Sequence, residues 1–294
     1  PAGGFPLLAN ADVVVAVGTR FAAPETGSAR MRPGAQLVRI DTSPHPANRQ
    51  PVDGVEVTAV AADAKLALGA LIDRAESNAA PQWRARAAAL KQEIARALGE
   101  EFPVTAECCR AIRAATPADG IIVDEMTQVA YLGRNAIPIP VEGEYIISGF
   151  QGTLGYGYPT ALGAKVAAPG RAVVSITGDG GFGYNVGELA TAVQHNIGVV
   201  AVVFCDDAFG NVLGIQERTT GRPIASRLHN PDYVALAASF GMAGTRVEDV
   251  ADLEVAISEA IAADVPTLIE VPLGPQPNVW PRVTGALPFE LPEG

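Results

Sequence analysis

Ala172-Val173-Val174-Ser175-Ile176-Thr177-Gly178-Asp179-Gly180-Gly181-Phe182 opens as an apolar run and closes on Gly-Asp-Gly-Gly. A short apolar stretch rich in β-branched residues reads as a strand buried on both faces, and hence as part of a parallel sheet. The glycines let a ligand come close to the backbone. The N–H groups of the helix start that follows favour an anion, and a carboxylate at the same point wants a cation. An anion bridged by a hard metal, such as a diphosphate with Mg²⁺, meets both demands. A strand-to-helix turn with Asp179 as its cap has the same local pattern, so this stretch alone leaves the ligand open.

Two further segments narrow the reading. A second apolar strand, Val199 to Phe204, ends in Cys205-Asp206-Asp207-Ala208-Phe209-Gly210-Asn211. Between Asp179 and Asp206 there is room for one helix and one strand. That is a single crossover, so the two strand ends can be neighbours and their carboxylates can bracket one octahedral cation. The third segment is Ser148-Gly149-Phe150-Gln151-Gly152-Thr153-Leu154-Gly155-Tyr156-Gly157-Tyr158-Pro159. Its low side-chain bulk at a helix entry suits the close approach of a flat ligand.

Working outward, strands are expected at Gly120–Asp124, Tyr145–Ser148 and Thr267–Val271. Helices are expected at Glu107–Ala115, Gly157–Ala167, Gly187–His195, Asp232–Phe240 and Val250–Ala263. This alternation predicts an α/β doubly wound parallel sheet over 105–275, with ligands at the carboxyl ends of its strands. Residues 1–76 read as a partial Rossmann-like α/β domain, with strands at 11–18, 36–41 and 55–60 and a helix at 64–76. Residues 77–104 read as a linker with a helix from Gln82 to Leu98, and 276–294 as a proline-containing tail over the surface. The formal net charge of −11, with no Lys/Arg stripe, argues against nucleic acid as a partner. No run has the length of a membrane span. Three cysteines without ligand or disulfide spacing make a reducing, cytoplasmic setting the default.

Gly178-Asp179-Gly180 followed by the Asp206 turn is similar to the signature of the thiamine-diphosphate enzyme family. With Glu188-Leu189-Ala190-Thr191-Ala192 it resembles the acetolactate synthase and benzoylformate decarboxylase branch. The resemblance implies thiamine diphosphate and Mg²⁺ as cofactors and a 2-oxo acid as substrate. It places Gly178, Asp179, Gly180, Gly181, Phe182, Asp206, Ala208, Phe209 and Gly210 along the cofactor. The side chains of Asp179 and Asp206 and the carbonyl of Ala208 are the implied metal ligands. Many members have Asn-Asn or Asn-Asp where this chain has Cys205-Asp206, which keeps a good oxygen donor at the ligand position.

The glycine loop resembles the family's cofactor-bending loop. Leu154 stands where a large apolar side chain, typically Met in acetolactate synthases, wedges between the two thiamine rings, and the backbone of Gly152 and Leu154 is implied to touch the aminopyrimidine. In Asp124-Glu125-Met126-Thr127-Gln128, Gln128 is the implied phosphate contact, with Asp124 or Thr127 as a helix cap the local alternative. Asn211 and Ile215 are the implied substrate-lining residues. Gln216 falls near a position that is ionisable in some decarboxylases; a neutral amide cannot be a general acid at ordinary pH, which tilts the reading toward ligation. Leu154 and Gln216 are thus the catalytic candidates.

Gly18-Thr19-Arg20-Phe21, Ile40-Asp41-Thr42-Ser43-Pro44 and Ala62-Asp63-Ala64-Lys65 resemble the family's central domain, which binds FAD in acetolactate synthases and is structural in many relatives; FAD is the lesser reading. The resemblance covers residues 1–275 and omits the pyrimidine-binding domain, whose glutamate activates the cofactor. The expectation is therefore a fragment or one chain of a split enzyme, homo-oligomeric, completed by a pyrimidine-binding domain elsewhere. The alternative is a non-catalytic cofactor-binding or regulatory subunit.

Overall fold

Every strand in the structure, a computed structural model describing residues 4–19, 31–43, 55–75, 81–149 and 151–284, lies parallel to its neighbours. The chain divides into two units, Pro1–Ala97 with Pro281–Gly294, and Leu98–Trp280.

In the first unit, helix α1 (Phe5–Asn10) leads into strands β1 (Val13–Val17), β2 (Gln36–Asp41) and β3 (Glu56–Ala61), ordered β1-β2-β3. Helix α2 (Ala64–Ile72) follows, its start capped by Asp63, whose carboxylate accepts the Leu66 N–H at 3.1 Å. The helix was expected to reach residue 76; it ends at Ile72, and residue 76 lies outside the described residues. Ala16, Met31, Ala35 and Leu37 form a small core. Of the central-domain segments, Arg20, Phe21 and Pro44 lie outside the described residues.

The helix expected at 82–98 runs from Pro81 to Glu101 (α3), and α4 starts almost at once, at Pro103. Proline at the first helical position costs no hydrogen bond, which is why α4 begins there rather than at Glu107. The second unit then carries β4 (Ile121–Asp124), α5 (Gln128–Ala136), β5 (Glu144–Ile146), α6 (Gly157–Ala167), β6 (Val173–Gly178), the single turn α7 (Asp179–Phe182), α8 (Glu188–Gln194), β7 (Val199–Cys205), α9 (Gly210–Thr220), α10 (Tyr233–Ser239), β8 (Ala243–Arg246), α11 (Leu253–Ala263) and β9 (Thr267–Pro272). Its six strands are ordered β5-β4-β6-β7-β9-β8. Every residue of β4, β6 and β7 is buried, as a sheet covered on both faces requires.

Strand β8 carries no sequence signal of its own, whereas α5, unassigned from the sequence, has a clear helical apolar period. Ala243-Gly244-Thr245-Arg246 is a short edge strand with no buried residue, so neither period nor hydrophobicity marks it. The topology does the functional work. From β4 the chain moves outward to β5, and from β6 it moves the other way to β7. The loops after β4 and β6 therefore part company between two adjacent strands, which is where doubly wound sheets leave their ligand crevice.

Candidate functional site

The ends of β4, β6 and β7 lie side by side, with Asp124 opposite Ile176 and Gly178 opposite Phe204. Three carboxylates are thereby delivered to one edge of the sheet. Asp179, 2% exposed, is the most heavily hydrogen-bonded. Its Oδ1 accepts the Gly180 N–H at 2.7 Å. Its Oδ2 accepts N–H groups from Asp207 at 2.8 Å and Asp206 at 3.2 Å, and the Asn230 amide at 2.6 Å. Burial pushes its pKa up, against the pull of these donors. Asp206 makes only a 3.3 Å contact with the Ala208 N–H. Burial first, and the charge of Asp179 second, push it up to about 7.

The Asp206 turn is braced from outside the motif. Asp207 takes a left-handed conformation (φ 56°). The segment Ser226–Leu228 pairs with it as a short antiparallel bridge, Phe209 N–H to Ser226 carbonyl and Leu228 N–H to Asp207 carbonyl, each at 2.8 Å. Gln216 ties that segment to α9: its amide oxygen accepts from Ile224 N–H and Ser226 Oγ at 3.0 Å each, and its nitrogen donates to the Ile224 carbonyl at 3.2 Å. The Gln216 amide is thus spent on holding the brace.

The Leu154 loop is built from left-handed glycines: Gly149, Gly152 and Gly155 have φ of 61°, 57° and 80°. Leu154 is half-buried, while Gln151, Gly152 and Thr153 are exposed. The loop is gripped just after Leu154 by the Asp124-Glu125 pair. Glu125 accepts the N–H groups of Gly155 at 2.7 Å and Gly157 at 2.9 Å, and Asp124 accepts the Tyr156 hydroxyl at 3.2 Å. Asp124 caps no helix; it is fully buried and pairs with Arg134 through Nε at 2.7 Å and Nη2 at 3.1 Å. Arg134→Ala leaves that buried carboxylate without its cation and is expected to cost about 3 kcal/mol. Urea unfolding measures it, and a midpoint unchanged from wild type would show the pair to be dispensable.

Gln128 opens α5, and its side-chain oxygen accepts the N–H of the buried Val279 at 2.9 Å. Asn211 accepts the Asn278 amide at 3.4 Å, and Trp280 packs on Tyr131 with ring centroids 4.8 Å apart. Residues 278–280, expected to lie over the surface, therefore connect two of the expected site residues. Ile215 sits one turn beyond Asn211 on α9 and is 43% exposed. Two residues of the constellation carry no motif. Asn230 lies 51 positions after Asp179. Asn185 donates to the Gly155 carbonyl. A third, Glu125, lies within Asp124–Gln128, where the sequence assigns its side chain no direction.

A cation fits this arrangement on chemical grounds. Among the described residues, no lysine, arginine or histidine forms a salt bridge with Asp179, Asp206 or Asp207. The described residues contain no group of three His, Cys, Asp or Glu side chains able to close on a metal. Two carboxylates with the remaining positions left to a carbonyl, water and ligand oxygens is the coordination Mg²⁺ takes with phosphates, rather than an all-protein cage.

An open parallel sheet with a buried and a half-buried carboxylate at adjacent strand ends, neither of them salt-bridged among the described residues, defines a ligand-binding domain of the doubly wound α/β class. Residues 126–271 match the family model for the thiamine pyrophosphate enzyme, C-terminal TPP binding domain, and this part of the chain belongs to that family. It is 33% identical over 273 residues to a probable 2-ketoarginine decarboxylase of Pseudomonas aeruginosa, covering 92% of this chain and 48% of that one. It is 30% identical over 292 residues to a probable acetolactate synthase large subunit of Methanococcus aeolicus, covering 91% and 48%. A solved structure, the thiamine diphosphate-dependent 4-hydroxybenzoylformate decarboxylase of Rhodococcus jostii RHA1, superposes with a TM-score of 0.70 at 25% identity, over 91% of this chain and 50% of that one. The chain spans about half the length of the curated relatives it matches. Among the described residues no helix is long and apolar enough to cross a membrane.

Proposed function

We propose that this chain binds thiamine diphosphate through Mg²⁺ and forms the diphosphate-binding half of a decarboxylase or carboligase acting on 2-oxo acids. The observation that carries the reading is the pair Asp179, buried, and Asp206, half-buried, at neighbouring strand ends, with no salt bridge to either among the described residues. Asp179, Asp206 and the Ala208 carbonyl would hold the metal. The N–H groups of Gly181 and Phe182, in the first turn after β6, would face the diphosphate. Leu154, with the backbone of Gly152, would set the ring conformation, and Asn211 and Ile215 would face the substrate. When bound, the cofactor supplies a carbon nucleophile for the 2-oxo carbonyl and an electron sink for the departing carboxylate.

Gln216 stays neutral and committed to Ile224 and Ser226, so in this reading it supports the Asp206 turn and transfers no proton. The acid that activates the cofactor ring comes from a pyrimidine-binding domain on another subunit or segment, which makes the working enzyme an oligomer in the simplest arrangement. Titration calorimetry with thiamine diphosphate plus Mg²⁺ is expected to show saturable binding that chelation by EDTA removes; absence of binding sinks the proposal. The chain alone is expected to release no CO₂ from 2-oxo acids, and to do so once a pyrimidine-binding domain is supplied. Turnover by this chain alone would show that the acid lies within it.

A further inference from the structure

Glu125 is fully buried, one residue beyond the end of β4, and it faces two loops at once. On one side its carboxylate takes the N–H groups of Gly155 and Gly157. On the other it presses against the Asp179 turn: a Cβ on Gly181 would stand 1.8 Å from Glu125 Oε1. Asn185 holds the Gly155 carbonyl, so three successive peptide planes after Leu154 are fixed, by N–H, by C=O and by N–H again. Upstream of Leu154 the chain is exposed from Gln151 to Thr153 and turns on left-handed glycines, which resist bending poorly. The direction of the Leu154 side chain is therefore set from its carboxyl side.

We infer that Glu125 is a positioning residue, a strut that fixes the Leu154 loop against the Asp179 turn and so sets the spacing between the ring-facing and diphosphate-facing parts of the site. This rests on the function proposed above. Burying a carboxylate is costly, and desolvation does push this one up in pKa; the two backbone N–H groups, and after them the Thr177 side chain of β6, oppose that shift. A carboxylate kept there at such cost, with each oxygen taking one N–H of the loop, is matched to holding that loop. Capping α6, whose first residue is Gly157, accounts for one of these bonds and leaves the Gly155 bond unexplained.

Two ligands separate the roles. In the full chain, titration with Mg²⁺ and thiamine diphosphate is compared with titration with Mg²⁺ and inorganic diphosphate, which has no ring. Glu125→Gln keeps the size but turns one acceptor into a donor facing a backbone N–H. It is expected to weaken thiamine diphosphate by about tenfold or more, the loss of a hydrogen bond to a charged group, and to leave inorganic diphosphate within about twofold. Leu154→Ala is expected to give the same selective loss, and the double variant to be no worse than the larger single one, because Glu125 acts through Leu154. Equal weakening of both ligands, no weakening of either, or additive losses would each overturn the strut. If Glu125→Gln fails to fold, Glu125→Asp, which withdraws the charge by one methylene, takes its place.

A wild-type chain that binds neither ligand overturns the proposed function instead. The strut is then read from amide exchange: Gly155 and Gly157 must be protected relative to Gly152 and Thr153 in the wild type, and unprotected amides there would overturn it.

Discussion

Asp179→Ala is expected to lower the affinity for Mg²⁺ and thiamine diphosphate by more than about 100-fold, beyond what loss of a merely supporting group at a metal site costs. The same change strands three backbone N–H groups and the Asn230 amide in a buried turn. A stability loss of about 3 kcal/mol follows even in metal-free buffer. Asp206→Asn should behave differently. Asp206 accepts one weak bond, while burial and the charge of Asp179 both disfavour its ionised form. Neutralising it removes the repulsion and loses little, so the metal-free chain is expected to gain about 1 kcal/mol while binding is again lost. Differential scanning calorimetry with and without Mg²⁺ and cofactor gives both quantities. A metal-free Asp206→Asn chain as damaged as Asp179→Ala would contradict the view that Asp206 is kept for a metal.

Gly181→Ala is expected to be the most destabilising single methyl in the second unit. Gly181 lies in a helical turn, where alanine is ordinarily favoured over glycine by about 1 kcal/mol. Here the new Cβ would meet Glu125 Oε1 at 1.8 Å and Cδ at 2.7 Å. The carboxylate cannot step aside without releasing Gly155 and Gly157. Overpacking together with two broken charge-assisted bonds sums to about 5 kcal/mol, comparable to the whole stability of an ordinary domain. Thermal or urea unfolding is expected to show a unit that is unfolded or melts far below wild type. Adding Glu125→Ala removes the obstacle, so the double variant should be more stable than the sum of the two losses by at least about 1 kcal/mol. A Gly181→Ala chain as stable as wild type would show that the carboxylate lies elsewhere.

Strands whose every residue is buried were the easiest to read. Val199 to Phe204 is apolar throughout, and the structure gives a strand that runs only one residue further, to Cys205, because a doubly covered sheet leaves no polar residue to blur its ends. Helix α6 likewise runs from Gly157 to Ala167 as expected. Edges were harder. The strand expected at 145–148 lies at Glu144–Ile146, since an edge strand is pinned by one neighbour only. The site was legible where chemistry and punctuation coincide, at Gly178–Phe182 and at Cys205–Gly210. It was opaque where a side chain acts across the fold.

The sequence by itself determined the α/β class, the two carboxylate-bearing strand ends and their adjacency, because apolar runs of strand length separated by one helix allow a single crossover and little else. It did not determine which way any carboxylate turns. Gly178-Asp179-Gly180-Gly181-Phe182 has equally the pattern of a strand-to-helix turn with Asp179 as its cap. Only the tertiary structure turned Asp179 inward onto the Asp206 turn and Asn230, and ended α7 after a single turn. It likewise placed Glu125 between two loops, gave Gln216 to the Ser226 brace, and drew residues 278–280 onto Gln128 and Asn211. Each of these contacts joins residues distant in the chain. Local pattern fixes which residues share a strand or a helix turn, whereas a hydrogen bond between two loops depends on the packing that brings the loops together.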